Sequence, residues 1–352
     1  MSERLIQVSD LKAFSKNLLT AAGVRAQDAV LVSDNLIEAN LKGVDSHGVV
    51  RLDPYLTGIL SGYINTNPKI HVVNETDSIV LIDGDNGLGQ VVADYAVSLA
   101  IRKAKKNGIG VSSVRNSNHI GTAGYYALKF PEENMIGLVL SNAPPTMAPW
   151  GGRVPLFGTN PLSWAVPSGV DYPVFLDIAS SVVSRGKIKL AADRNEKIPN
   201  SWAISPEGDF TTDPKVAMKG TVLPFAEHKG YGITFFIDIL CGMLSGGAFS
   251  IHLKQIPGYG GTSGKTGICH FLMGIDISKF IDLNLFRKNM SSLIDIVKNS
   301  PHREGVEEIL IPGEIEFKER KKRMEKGIPL QIEEISMLKK WGAKLKVRNP
   351  WD

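Results

Sequence analysis

Cysteine is scarce: Cys241 and Cys269 are the only two in 352 residues. Two thiols can build neither a disulfide framework nor a Cys-based zinc site. The seven histidines fall in no H-x-x-x-H or comparable spacing, so no metal site is expected. A G-x-S-x-G elbow is missing, which leaves a serine hydrolase unsupported. The dinucleotide fingerprint G-x-G-x-x-G is missing too, and with it the Rossmann signature. Gly264-Lys265-Thr266 lacks the first glycine of a phosphate loop and a clear following helix. The opening MSERLIQVSD has no apolar stretch after a basic start, so no signal peptide and a cytoplasmic location are expected.

Other absences concern charge and long apolar runs. The formal net charge of +4 is local, because residues 318–352 hold 11 basic and 5 acidic side chains. A basic tail without aromatic or glycine-rich partners reads as a solvated helical face, and no nucleic-acid binding is expected. The run Gly232 to Phe249 approaches membrane-spanning length but carries Asp238 near its middle. A buried core helix is the expectation, with no membrane association.

What is present has the composition of a folded chain, 43% hydrophobic and 22% charged. Leu11, Phe14, Leu18 and Leu19 repeat at helical spacing after Ser9-Asp10 caps, and a second helix is expected over Ala26 to Leu41. Asp45 is placed to cap a third helix from Ser46 towards Leu60. From about residue 76 strand-like and helical runs alternate, through SIVLIDG, VVADYAVSLAIRKAKKNG, GIGVSSVRN, MIGLVLSNAPP and PVFLDIASS, which argues for an α/β domain. The loop 142–161 is longer than a connection requires, a length often tied to function. Beyond Gly274 the chain reads as helical again, with one strand-like run in EEILIPGE.

Several clusters carry chemistry. Within GVDSHGVVRLDPY (43–55), His47 and Arg51 lie four residues apart, one face of the expected helix. A guanidinium can hold a carboxylate bidentately while an imidazole moves the proton of a carbinol oxygen; the alternative is a surface pair of no consequence. In the expected first turn, the helix dipole would favour neutral His47. His119 follows a strand in NSNHIGTAGYYA (116–127), at a strand-end site or in a polar turn. Two further segments suit anions: VFLDIASS leading to Arg185 and Lys187, and PFAEHKGYG placing His228 and Lys229 at a helix start. Either could be only a helix cap.

Together with NGLGQ (86–90), APWGG (148–152), FGTNPLSWAVP (157–167), LDIASSVVSRGKI (176–188), TTDP (211–214), LPFAEHKGYG (223–232) and IPGE (311–314), these segments resemble the malate/L-lactate dehydrogenases of the second, non-Rossmann type. That group includes sulfolactate, ureidoglycolate and diketogulonate dehydrogenases and a cyclic imine reductase. The resemblance implies an α/β fold with a mixed-sheet, non-Rossmann dinucleotide-binding domain over 76–273. A mostly helical second domain would form from both chain ends, 1–75 and 274–352, in a homodimer.

It also implies reversible hydride transfer between NAD or NADP, with NAD preferred, and C2 of a small 2-oxo or 2-hydroxy acid. Malate/oxaloacetate is the first expectation and lactate/pyruvate the next; a cofactor-free lyase or a binding protein is the reading from another class. By the same resemblance His47 and His119 move the proton, with His47 the first choice, and Arg51 holds the substrate carboxylate. Asn160 would lie near the nicotinamide or the reacting oxygen. The cofactor would run along Asp177, Ile178, Ala179, Ser180 and Ser181, near Arg185, His228, Lys229, Gly230, Pro312, Gly313 and Glu314. Ala226 and Glu227 stand where many relatives have glycines, which bears on the coenzyme.

Overall fold

The computed structural model describes residues 3–255 and 264–351. Its strands are β1 (Glu3–Ile6), β2 (His71–Glu75), β3 (Ile79–Asp83), β4 (Ile109–Ser117), β5 (Met135–Ser141), β6 (Leu162–Val166), β7 (Val174–Ile178), β8 (Ala203–Ile204), β9 (Thr221–Val222), β10 (Ile268–Asp276) and β11 (Ile328–Gln331). Its α-helices are α1 (Val8–Ala21), α2 (Ala26–Leu41), α3 (Leu52–Leu60), α4 (Gly89–Asn107), α5 (Gly124–Ala127), α6 (Lys129–Glu132), α7 (Arg185–Arg194), α8 (Pro214–Lys219), α9 (His228–Asp238), α10 (Leu283–Lys298), α11 (Glu314–Lys326) and α12 (Ile332–Leu345).

Seven strands form one mixed sheet in the order β2-β3-β4-β10-β5-β6-β7. Only β3 and β4 run parallel, and the crossover between them is α4, as a parallel pair requires. Strand β10 sits in the middle, between β4 and β5, and its near-continuous apolar run suits a strand covered on both faces. Under the sheet, Val80, Ile82, Val97, Tyr126, Phe130 and Leu272 belong to one buried cluster.

A second cluster draws on both ends of the chain. Leu11, Leu36 and Leu56 of α1, α2 and α3 pack with Leu330 of β11 and with Leu338 and Trp341 of α12, and β1 pairs antiparallel with β11. Helix α10 stays on the sheet, where Ile294 joins Val174 of β7 and Ile311 in a small core.

Local expectations meet four corrections. Gln7, not Ser9-Asp10, precedes α1, with extended backbone and no side-chain cap bond. The run EEILIPGE forms no strand; its Pro312 carbonyl instead accepts the Phe175 N–H at 3.2 Å. The apolar run at 232–249 is a helix to Asp238 followed by a π-turn over Ile239–Met243, and it is only half a core element. Ile237 and Cys241 are buried, but Phe236 is 58% and Leu244 58% exposed, so one apolar face is uncovered in the protomer. The basic tail is not wholly solvated either: Arg320 pairs with Glu38 at 2.8 Å and Arg323 with Asp45 at 2.7 Å. Among the described residues no helix is long and apolar enough to cross a membrane.

Candidate active site

The segment carrying His47 and Arg51 also departs from the expected helix. It forms two separate 3-10 turns, Asp45–His47 and Val49–Arg51, before α3 begins at Leu52. Gly48 breaks the helix with ψ −148°. The cause is Asn40 at the end of α2, whose Oδ1 accepts the Val49 N–H at 2.9 Å and leaves no room for a side chain at residue 48. A Cβ there would lie 2.1 Å from that oxygen. Asp45 caps nothing; its carboxylate takes Asn40 Nδ2 at 2.6 Å and two bonds from Arg323 at 2.7 and 3.2 Å. A helix-dipole effect on His47 therefore has no basis, and a bidentate guanidinium from α11 holds the loop instead.

The loop brings His47 against His119. Their rings stack at 5.4 Å between centroids and 23° between planes. Ser46 Oγ lies 3.0 Å from His47 Nδ1, and Arg51 Nε donates to the Ser46 carbonyl at 2.7 Å. Burial, then the charge of Arg51, push the pKa of His47 down to about 3. Burial again leads at His119, with Arg51, His47 and His270 adding to it, and its pKa falls well below the ordinary value. Both rings are neutral at pH 7. Two imidazoles and a guanidinium gathered in this way favour an anionic ligand.

His119 Nδ1 is held from two sides, by the Gly121 N–H at 3.2 Å and the Tyr55 hydroxyl at 2.7 Å, and Gln90 Nε2 donates to Tyr55 at 2.8 Å. Tyr55 and Gln90 lie in GVDSHGVVRLDPY and NGLGQ, yet nothing in either segment marks them for a role at His119. Spacing along the chain carries no sign that they meet His119.

Asn160 is bonded within the protein through both ends of its amide. It is fully buried, its Oδ1 accepts the Ala143 N–H at 3.0 Å and its Nδ2 donates to the Thr234 carbonyl at 3.2 Å. Its side chain ties the loop after β5 to α9.

The anion-binding candidates converge at the β7 edge of the sheet. Ser181 bridges Pro224, and the Phe225 N–H donates to the Ser180 carbonyl at 3.1 Å. Ser180 Oγ donates to Thr159 at 3.0 Å and receives Thr234 Oγ1, so this hydroxyl is committed to the protein. Asp177 is paired with Ser163 across β6 and accepts the Gly124 N–H at 2.8 Å, and burial pushes its pKa up to about 6. That bond ties the β7 edge to the segment that carries His119. Ile178 and Ala179 are half-buried at the end of β7.

Arg185 opens α7 and donates to two backbone carbonyls, Met218 at 2.5 Å and Gly220 at 3.4 Å. No carboxylate bonds this half-buried guanidinium among the described residues. His228 and Lys229 are exposed in the first turn of α9, while Gly230 is buried against Phe225. Ala226 and Glu227 keep the positive φ of a glycine turn, 46° and 57°. Pro312 is exposed, and Gly313, at φ 91°, lies against the Phe175 ring. Glu314 is 4% exposed and paired with Lys298 at 2.8 Å and Lys318 at 3.1 Å, so its carboxylate serves the fold.

Comparison with known proteins matches residues 6–339 to the family model described as malate/L-lactate dehydrogenase. A malate dehydrogenase of Pyrococcus horikoshii is 44% identical, over 97% of this chain and 96% of its own. A malate/(S)-sulfolactate dehydrogenase of Methanothermus fervidus is 38% identical over 99% and 100%. The crystal structure of malate dehydrogenase from Entamoeba histolytica superposes with a TM-score of 0.94 at 32% identity, covering 99% of this chain and 100% of that one.

Proposed function

The chain belongs to the malate/L-lactate dehydrogenase family and is an oxidoreductase acting on small hydroxy acids, and from that premise we propose that it interconverts malate and oxaloacetate. Lactate and pyruvate are the second choice. The observation that carries the reading is the stacked pair His47–His119 beside Arg51. The Arg51 guanidinium takes the carboxylate next to C2, and the imidazoles face the C2 oxygen. A bound nicotinamide coenzyme supplies or accepts the hydride at C2.

The proton follows from the electrostatics. Arg51 helps keep both rings neutral, and a bound carboxylate offsets its charge. A dianionic substrate thus raises the proton affinity of the pair when a proton is needed at the carbonyl oxygen. His47 is the proposed proton donor, and His119 a hydrogen-bond donor to the same oxygen.

The β7 edge suits a dinucleotide, because Arg185 is a half-buried cation that, among the described residues, bonds only to carbonyls. It would hold the diphosphate, with the 177–181 strand end, the first turn of α9 at His228, Lys229 and Gly230, and the Pro312-Gly313 turn beside it. NAD is preferred over NADP, since Glu227 in this turn would accept from a ribose hydroxyl and repel a ribose phosphate. We read residues 76–273 as the cofactor-binding part and the two chain ends as the other, supported by the core that α1–α3 share with β11 and α12. A homodimer would cover the apolar face exposed at Phe236 of α9 and at Leu244 just beyond the π-turn.

The test is the change in reduced-nicotinamide absorbance, with NADH and NADPH in parallel, against oxaloacetate, pyruvate and sulfopyruvate. Oxaloacetate should give the highest kcat/KM, and a higher value for another acid would move the assignment to it. His47→Ala and His119→Ala should each lose turnover, and Arg51→Gln should lose roughly 100-fold or more in kcat/KM, about the worth of a charge-assisted pair. Full activity in both histidine variants would sink the acid–base roles.

A further inference from the structure

His119 could carry its one proton on either ring nitrogen, and the structure distinguishes the two. Nδ1 receives the Gly121 N–H at 3.2 Å. A backbone N–H only donates, so the nitrogen it meets presents a lone pair, and the proton of the neutral ring is on Nε2. The Tyr55 hydroxyl, 2.7 Å from the same Nδ1, can then act only as a donor. Gln90 Nε2 donates to the Tyr55 oxygen at 2.8 Å, in keeping with a hydroxyl that gives its own proton to the imidazole.

With the Gln90 amide turned over, its Oε1 would take the Tyr55 proton. Tyr55 could then meet Nδ1 only by accepting from a protonated nitrogen, which the Gly121 N–H opposes. Tyr55 is 2% exposed and Gln90 fully buried, so water does not compete for these bonds. The three side chains come from α3, the first turn of α4 and the loop after β4.

We propose that Tyr55, ordered by Gln90, is a positioning residue that joins the Gly121 N–H in holding His119 in the Nε2–H tautomer. His119 then donates a hydrogen bond from Nε2 to the substrate oxygen and cannot take up a proton there, which leaves net proton transfer to His47. This division of labour rests on the dehydrogenase reading; the tautomer itself does not. Among the described residues, the groups facing the His119 ring are Tyr55, Gly121, His47, Arg51 and His270, and none of these is an acid that would draw the proton to Nδ1.

Long-range 15N–1H correlation on 15N-histidine-labelled full-length protein reads the tautomer without any substrate. The expected result is a His119 signal of the Nε2–H form in the parent protein, assigned by its loss in His119→Ala. In Tyr55→Phe, which keeps the ring and its packing, the signal should move towards mixed tautomers. In the same variant kcat should fall about 10- to 100-fold with KM changed less than about threefold. A parent protein in the Nδ1–H form overturns the proposal without touching the dehydrogenase reading, and so does an unchanged tautomer in Tyr55→Phe. A shifted tautomer with unchanged kcat overturns the positioning role. Full activity in His119→Ala would defeat the His119 part of the functional reading and leave the measured tautomer standing. Should Tyr55→Phe fail to fold, Gln90→Leu is expected to show the same two changes.

Discussion

Adding one methyl group at Gly89 should cost more activity than stability. Gly89 opens α4, where an alanine would ordinarily help by up to about 1 kcal/mol through helix propensity. Here a Cβ would lie 2.2 Å from the Asn118 carbonyl oxygen and 2.4 Å from that of His119. Both obstacles are backbone, so the 118–119 segment has to retreat by about 1 Å to restore ordinary contact. It is poorly free to do so. Asn118 is 4% exposed, donates to the Asn86 and Gly87 carbonyls at 3.0 and 2.8 Å, and accepts from Thr266 at 2.8 Å. Overpacking of this kind costs about 1–3 kcal/mol, so the clash outweighs the propensity gain and Gly89→Ala should be destabilised by about 1–2 kcal/mol. The larger effect is on His119, whose 2.7 Å bond to Tyr55 cannot survive a shift of about 1 Å. Such a displacement at a reacting group costs about 100-fold in rate. The assay is kcat/KM for oxaloacetate reduction, with a thermal unfolding midpoint and the coenzyme Kd by fluorescence as controls. A raised unfolding midpoint with kcat/KM within twofold of the parent would refute the reasoning, because the segment would then have moved without cost.

Three further outcomes follow from buried charge and backbone strain. Glu314, held near a pKa of about 2 by Lys298, Lys318 and the Ile311 N–H, contributes stability present above its unfolded value of 4.5 and lost as pH falls towards 2. Glu314→Gln should therefore unfold about 2 kcal/mol more easily at pH 7, a gap that closes in acid, and denaturant midpoints at pH 7 and 3 would check it. Asp177 has the opposite sign: its raised pKa of about 6 makes its charge a cost that grows as pH rises from 3.8 through 6. Asp177→Asn keeps an oxygen for the Gly124 N–H and should stabilise the ligand-free protein by roughly 2 kcal/mol at pH 7 and by little at pH 4; a constant offset would contradict this. Glu227 sits at φ 57° and ψ −124°, a conformation suited to glycine. Glu227→Gly should raise stability by roughly 1 kcal/mol, the strain relieved less the added freedom of the unfolded chain, and a lowered melting temperature would show that no strain was stored there.

Local patterns along the chain determined a good deal. The helix expected over Ala26 to Leu41 has those bounds, the strand-like runs of the α/β region became β3, β4, β5 and β7, and the motif resemblance matched the family. These features depend on side-chain periodicity, turn residues and motif spacing, which neighbouring residues carry by themselves. The 3-10 turns at His47 were not legible, because Asn40 and Arg323 impose them, and Arg323 is 278 positions from the Asp45 it grips. Nor was the partnership of Tyr55 with His119, 64 positions apart, or of Gln90 with Tyr55, 35 apart. The commitment of Asn160 to Ala143 and Thr234 was equally hidden. A hydrogen bond between distant residues needs only complementary atoms brought within about 3 Å, and the packing of the two cores decides which atoms meet. Residue types alone identify candidate acids, bases and cations; the tertiary structure decided which face one another, which nitrogen has the proton and which side chains serve the fold.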